Sequence, residues 1–286
     1  MLQVMDIGAK EDFTAKLVQL VNELKGRVST DDGQWTVKGF VDIFRNVYTI
    51  SSDTKIVSKI LEIHLFPQIL AFSQANGYKI VLAEHQNYYP DISFINANDE
   101  SIRYAVDFKT TYRNPTKPHL CNGFTLGSHG KYFTERASRK NIQFPYSSYA
   151  GHFCLGIIYD RTDGSTIEET GVYRIDELKS IAFVAKNFEF FVTEKWKIAS
   201  DKGGSGNTAN IGSIKNIADI ARGRGMFSAL GESWFDDYWM NYGKITAKDK
   251  NGMTKKITRL ADFVSYRKGD ASLIVPMSND GDEEGA

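Results

Sequence analysis

The chain has 286 residues, 42% of them hydrophobic and 24% charged, which suits a globular protein with an ample core. No apolar run approaches the ~20 residues of a membrane span, and the start MLQVMDIGAKEDF lacks the basic-then-apolar order of a signal peptide. Cys121 and Cys154 are the only cysteines and have no metal-ligand spacing, a usage expected in a reducing cytoplasm. The formal net charge is zero, which argues against a nucleic-acid partner until the last nine residues are set aside. That tail, SNDGDEEGA (278–286), carries Asp280, Asp282, Glu283 and Glu284 and reads as disordered and solvating. Everything before it holds 35 basic against 31 acidic residues, or +4, a balance compatible with DNA.

Residues 9–25 (AKEDFTAKLVQLVNELK) space their apolar side chains near 3.6 and are predicted as an amphipathic helix. QWTVKGFVDIF, residues 34–44, reads as extended. Residues 51–78 open with Ser and Asp capping candidates and run as a helix that Pro67 is expected to kink or split. Strands follow at YKIVLA (78–83), DISFINA (91–97) and RYAVDFKTTY (103–112), the last two joined by the polar turn NANDES as a hairpin. FCLGIIYD (153–160) and FEFFVTEKWKIA (188–199) are later strands, and ESWFDDYWMNY (232–242) is a helix. There are no internal repeats. Helices at both ends with strands between them predict an α/β or α+β protein, with residues 1–270 as one domain.

The chemistry concentrates in the predicted hairpin. Along AVDFKTTY the strand alternation sets Val106 and Phe108 on one face and Asp107 and Lys109 on the other. An isolated D-x-K is most often an ordinary ion pair on a solvated face. The partner strand, however, begins NYYPDISF. Pro90 can start a strand but not sit in its centre, so Asp91 lies at the exposed beginning, where it can converge with Asp107 beside Lys109. Two neighbouring carboxylates repel unless a proton or cation lies between them. Hard oxygen ligands favour Mg²⁺, which retains waters and takes one or two carboxylates plus substrate phosphates. Lys109 would then orient the attacking water, help deprotonate it, or stabilise charge on phosphorus. This is the layout of a phosphodiester-cleaving site.

Two loops fit a nucleic-acid partner. DKGGSGNTANIGS (201–213) matches neither a phosphate loop nor the dinucleotide fingerprint. It does set Gly204 and Gly206, which allow close backbone approach, beside Ser205, Asn207, Thr208 and Asn210. Asn can bond an adenine edge and Thr can meet a thymine methyl. EHQNYYPD puts Gln86 and Asn87 just ahead of Asp91, a second contact loop at about 84–90.

The P-D-x15-D-x-K pattern resembles the PD-(D/E)xK nuclease superfamily. SSDTKIVSKILEIHLFPQI, HQNYYPDISF, AVDFKTTYRN, FTLG, GSGNTANIGSI and FDDYWMNY also stand in the order found in EcoRV-type type II restriction endonucleases, over roughly residues 10–243. The resemblance implies the restriction-endonuclease-like fold, with a central mixed β-sheet flanked by helices. It implies a cytoplasmic homodimer that cuts both strands of palindromic double-stranded DNA with Mg²⁺, leaves blunt ends, and works alongside a methyltransferase acting on the same site. By matched motif, Asp91, Asp107 and Lys109 are catalytic and the two aspartates hold metal. Glu62, in KILEIH, matches an acidic helix residue near the site that assists the metal or is structural. Gly204 to Asn210 match the major-groove loop, and Gln86 and Asn87 the minor-groove loop. The preserved GSGNT run points to a site related to GATATC.

His85 stands where the family loop has an amide, and Ala209 where it has Thr, which bears on flanking preference more than on chemistry. Residues beyond about 243 have little counterpart. The five histidines (64, 85, 119, 129 and 152) show no ligand spacing, and FDDYWMNY reads as a packed helix and not a base-stacking platform. Two alternatives share features of this reading: a structure-specific or nicking nuclease of the same superfamily, and a DNA-binding protein that does not cleave.

Overall fold

The computed structural model describes residues 2–85, 87–206, 209–248 and 253–277. In chain order the helices and strands are α1 (Leu2–Val28), β1 (Gly39–Val41), β2 (Asn46–Thr49), α2 (Thr54–Ala75), β3 (Tyr78–Leu82), β4 (Ile92–Asn96), β5 (Arg103–Tyr112), β6 (Thr125–Ser128), α3 (Lys131–Thr134), β7 (Gly151–Arg161), β8 (Val172–Arg174), β9 (Ala185–Glu194), β10 (Ala199–Gly203), β11 (Asn210–Ser213), α4 (Ile217–Ala221), α5 (Glu232–Asn241), β12 (Thr246–Lys248), β13 (Thr254–Lys256) and α6 (Leu260–Tyr266).

The centre is a mixed five-stranded sheet in the order β3-β4-β5-β7-β9. Antiparallel pairing runs from β3 to β5, and the hairpin expected from sequence is there, with Ile92 opposite Val106 and Phe94 opposite Tyr104. β5 and β7 then pair in parallel along nine residues, and β9 returns antiparallel. One face packs on α1 and α2: Phe13, Leu17 and Leu24 from α1 and Val57, Leu61 and Leu65 from α2 meet Phe94, Tyr104, Val106, Phe153 and Leu155. Phe13 stacks on Tyr104 with ring centroids 4.0 Å apart. The other face carries a second apolar cluster built from Ala105, Cys154, Phe191, Ile211, Phe235, Trp239 and Phe263. The mixed α/β class and the flanked mixed sheet are as expected.

Several elements differ from expectation. α1 is longer at both ends than residues 9–25. The extended stretch 34–44 yields only the short β1, which turns back at Asp42 into β2 because Asp42 Oδ1 accepts the N–H groups of Phe44 and Asn46. α2 is neither split nor ended by Pro67. Asp53 caps its start, and buried Leu61, Leu65, Ile69 and Phe72 hold the turns on both sides of the proline. This helix is long and apolar enough by composition to cross a membrane, contrary to the reading of the sequence, but Val57, Ile60, Leu61, Leu65, Ile69 and Phe72 are buried in the core. The run FEFFVTEKWKIA is not one strand: a 3-10 turn at Lys195–Ile198 separates β9 from β10 and sends the chain into a second sheet, β10-β11-β6. α5 is the packed helix expected, with Phe235, Tyr238 and Trp239 buried.

Gly156 on β7 shows how closely the sheet is fitted. It stands opposite Lys109 on one side and Phe191 on the other, and an added Cβ would lie 2.0 Å from the Phe191 ring. Gly156→Ala should therefore cost about 1–3 kcal/mol of stability, seen as a melting temperature lower by about 5 °C. A melt within a degree of the parent's would mean that the ring moves aside freely.

Candidate active site

Alternation along β5 sends Tyr104, Val106 and Phe108 into the cluster beneath α1 and α2 and turns Asp107 and Lys109 to the other face with Ala105. Because β4 pairs Ile92 with Val106, the preceding residue, Asp91, comes opposite Asp107. Each carboxylate is tied to the other strand's backbone. The N–H of Asp91 donates to Asp107 Oδ1 at 3.3 Å, and the N–H of Phe108 donates to Asp91 Oδ2 at 2.7 Å. Lys109 Nζ lies 2.6 Å from Asp107 Oδ2. The three residues singled out in the sequence thus meet at one place.

Their charges are strongly coupled. Burial, followed by the negative charge of Asp107, pushes the Asp91 carboxyl up to about 7. Burial acts on Asp107 in the same sense, but the charge and hydrogen bond of Lys109, with Lys195 behind, outweigh it and hold Asp107 below its ordinary value. Burial opposes the Lys109 charge, yet the two carboxylates more than offset this and keep it cationic. Carboxylates in this arrangement hold either a proton or a cation between them. Asp107 is buried and Asp91 half-buried, so paired carboxylate oxygens of this kind fit a hard divalent ion such as Mg²⁺, whose remaining positions water and phosphate would fill.

Glu62 is not brought to the pair. It sits on α2 with Oε2 2.8 Å from Lys59 Nζ, and Lys59 in turn is near enough to Asp91 to feel its charge. Among the described residues no three His, Cys, Asp or Glu side chains converge as a metal cluster. His152 is buried, and burial drives its imidazole well below the usual range. Surface cavities of about 260 and 570 Å³ lie elsewhere, lined by other residues.

One loop leads directly into Asp91, and the other belongs to the β10–β11–β6 sheet, whose residues share the apolar cluster on the Asp107 side of the central sheet. Residues 84–90 fold back on themselves: the Tyr88 N–H donates to His85 O at 2.9 Å, and the Ala83 N–H donates to Asp91 O at 3.3 Å. Exposed Asn87 is at the turn, and Gln86 lies outside the described residues. Sequence reasoning missed the support for this loop, Asn141 to Gln143. Gln143 Oε1 accepts the Glu84 N–H at 3.1 Å, and Asn141 O accepts the Tyr89 N–H at 3.1 Å. The second loop caps the β10–β11 hairpin. Gly204 N–H donates to Asn210 O at 2.8 Å, and a Cβ on Gly204 would come within 3.0 Å of Thr125 Oγ1, so close packing explains that glycine. Gly206 has φ +92°, which favours glycine. Ser205 is exposed. Asn210 spends an amide N–H on Ser205 O, shaping the loop from within. Asn207 and Thr208 lie outside the described residues.

The description "Restriction endonuclease EcoRV" matches residues 31–268. The chain belongs to that family. It is 32% identical over 253 residues to the type II restriction enzyme EcoRV of Escherichia coli, covering 87% of this chain and 99% of that protein. The match therefore reaches past residue 243, contrary to the sequence reading, and takes in α6, whose Leu260, Phe263 and Val264 pack in the second core cluster. Among solved structures, NlaIV restriction endonuclease aligns with a TM-score of 0.37 at 14% identity, over 70% of this chain and 66% of that one. The family makes the protein a type II site-specific deoxyribonuclease, a hydrolase whose substrate is DNA, and family members in general require a divalent metal.

The raised Asp91 carboxyl predicts how stability responds to pH. In the fold it keeps its proton up to about pH 7, against an ordinary value of 3.8. The stability it contributes is complete below ~pH 4, declines as pH rises towards 7, and is lost above. Metal-free Asp91→Asn should accordingly melt higher than the parent at pH 8, on the order of 5 °C, with the difference vanishing below pH 4. Mg²⁺ should raise the parent's melt at pH 8 and not the variant's. Parallel melting curves at both pH values would contradict this account of the pair.

Proposed function

We propose that this restriction endonuclease uses Mg²⁺ held by Asp91 and Asp107 to cut a palindromic site related to GATATC in double-stranded DNA, leaving blunt ends. The observation that carries the reading is the Asp91–Asp107–Lys109 arrangement, with Asp107 Oδ2 2.6 Å from Lys109 Nζ. Residues 1–270 would act as one endonuclease domain. The preserved GSGNT run supports the choice of site.

Mg²⁺ would supply charge neutralisation at the scissile phosphate and acidify water. Asp91 and Asp107 would supply the negative charge that holds it, with Asp91 in its ionised form. Lys109 remains an ammonium because both carboxylates favour its charge. It is therefore suited to orient the attacking water and stabilise the extra negative charge on the five-coordinate phosphorus, not to remove a proton. A water oxygen bonds to phosphorus and gives a proton to solvent, a P–O ester bond breaks, and the departing ester oxygen takes up a proton from solvent to leave as a hydroxyl.

Cutting both strands of a palindrome requires two such sites related by two-fold symmetry, so the working unit would be a homodimer. The β1–β2–β8 sheet supports this: Phe40, Val41, Tyr48 and Val172 are exposed on or beside it, with Ile43 90% and Phe44 70% exposed at its turn. An apolar patch of this kind marks an interaction surface, and a second copy would cover it. A methyltransferase acting on the same site would protect host DNA without needing to touch this protein.

Digestion of a mixed-sequence plasmid with Mg²⁺, and with chelator instead, tests the reading. Discrete linear products with Mg²⁺ and intact plasmid without it are expected, and sequencing the ends gives the site. Nicked circles would favour a nicking nuclease, and no cutting a DNA-binding protein. Lys109→Ala should keep DNA affinity and lose cleavage by at least 100-fold; loss of binding instead would make Lys109 a phosphate clamp.

A further inference from the structure

Lys195 opens the 3-10 turn that carries the chain from β9 into β10, the first arm of the recognition hairpin. It is only 2% exposed, and its Nζ has no hydrogen-bond partner among the described residues. Burying an ammonium this way is costly unless compensating charge or ring faces surround it. Here the ammonium sits 4.2 Å from the Tyr89 ring centroid and 5.1 Å from that of Tyr146. Asp107 is the foremost negative charge acting on it.

The surrounding rings connect the two halves of the site. Tyr89 is two residues before Asp91, and its hydroxyl is 2.9 Å from His152 Nδ1. His152 stacks on Tyr146 at 3.7 Å. Tyr132 stacks on Tyr89 with 2° between the planes. Its hydroxyl accepts the Ser128 N–H at 3.0 Å, and Ser128 pairs with Asn210 at the end of the recognition loop. The backbone of β6 closes over the group: a Cβ at Gly127 would come 3.2 Å from the Tyr132 hydroxyl and 3.6 Å from Lys195 Nζ.

We propose that Lys195 is a positioning residue for DNA cleavage, a buried cation that joins the recognition hairpin to the segment leading into Asp91 and so holds the two carboxylates in place for their metal ion. The covalent connection runs through the turn into β10, and the ring contacts run back from β6 to Tyr89. A shift of the hairpin on DNA is thereby felt at Asp91, and the positive charge behind Asp107 limits the repulsion within the carboxylate pair. Lys195 itself touches neither DNA nor the reacting phosphate.

This inference rests on the proposed carboxylate site, and the test separates the two. Lys195→Met keeps the side chain's length and removes its charge. With the full-length enzyme on cognate duplex, we expect a cooperative melt at or above the parent's and an unchanged Kd for DNA without metal. The single-turnover cleavage rate at saturating enzyme should fall at least tenfold, and Mn²⁺ affinity of the protein–DNA complex, measured by calorimetry, should weaken at least tenfold. A folded Lys195→Met variant within twofold of the parent in both rate and Mn²⁺ affinity overturns the proposal. If that variant loses its cooperative melt, Tyr132→Phe carries the test. It removes the hydrogen bond to Ser128 of β6, the strand that joins the rings to the hairpin, and leaves every ring in place, so rate and Mn²⁺ affinity within twofold of the parent's would overturn the proposal equally. A parent enzyme that neither cuts nor binds Mn²⁺ would instead sink the carboxylate-site reading itself.

Discussion

Two carboxylates facing each other across a pair of antiparallel strands repel, and much of this protein's design follows from keeping Asp91 and Asp107 there. The β4–β5 register puts them opposite each other, backbone N–H groups from the facing strands hold them, and Lys109 neutralises one of them. What remains is a half-satisfied site: Asp107 is ionised beside its lysine, and Asp91 is driven up to about 7. In the proposed function a divalent cation would resolve the conflict that the fold creates. The conflict is local, and strongly coupled charges of this kind concentrate at functional sites.

The rest of the architecture makes that conflict sustainable. Beneath the pair, the helices α1 and α2 and the aromatic cluster around Phe13 fix the sheet from one side. Above it, the separate β10–β11–β6 sheet packs in the second apolar cluster, so that the loop suited to reading bases and the residues suited to cutting share one core. Asp107 also has a second positive charge behind it in Lys195. Stability and specificity are therefore coupled by packing: the same Phe191 that bars a side chain at Gly156 belongs to the cluster under the recognition hairpin.

Much of this was legible in the sequence because it depends on local rules. Period-two alternation put Asp107 and Lys109 on one face, Pro90 marked where its strand begins, and the polar turn at 96–101 made neighbours of the strands bearing Asp91 and Asp107. What stayed hidden depends on contacts far apart in the chain. The parallel β5–β7 pairing and the joining of β6 to β11 have no local signature. Pro67 does not split α2 because tertiary packing on both sides of it outweighs one missing hydrogen bond. KWKI looked like strand because it continues the β-favouring run FEFFVTE, whereas the chain must turn there to change sheets. Of the two lysines in that run, Lys195 gave no hint of burial, since lysine is mostly exposed. Glu62 matched by motif, but its present partner is Lys59 and not the aspartates.

The central claim is that Asp91 and Asp107 together form a divalent-cation site completed by DNA. Anomalous diffraction from crystals of the protein bound to cognate duplex and Mn²⁺ tests it most directly. The account predicts an anomalous peak between the two aspartates, about 2.0–2.3 Å from an oxygen of each, with a phosphate oxygen of the DNA among its ligands. A fully occupied Mn²⁺ that is bound elsewhere, with Lys109 and a proton still the only partners of the two carboxylates, would contradict it.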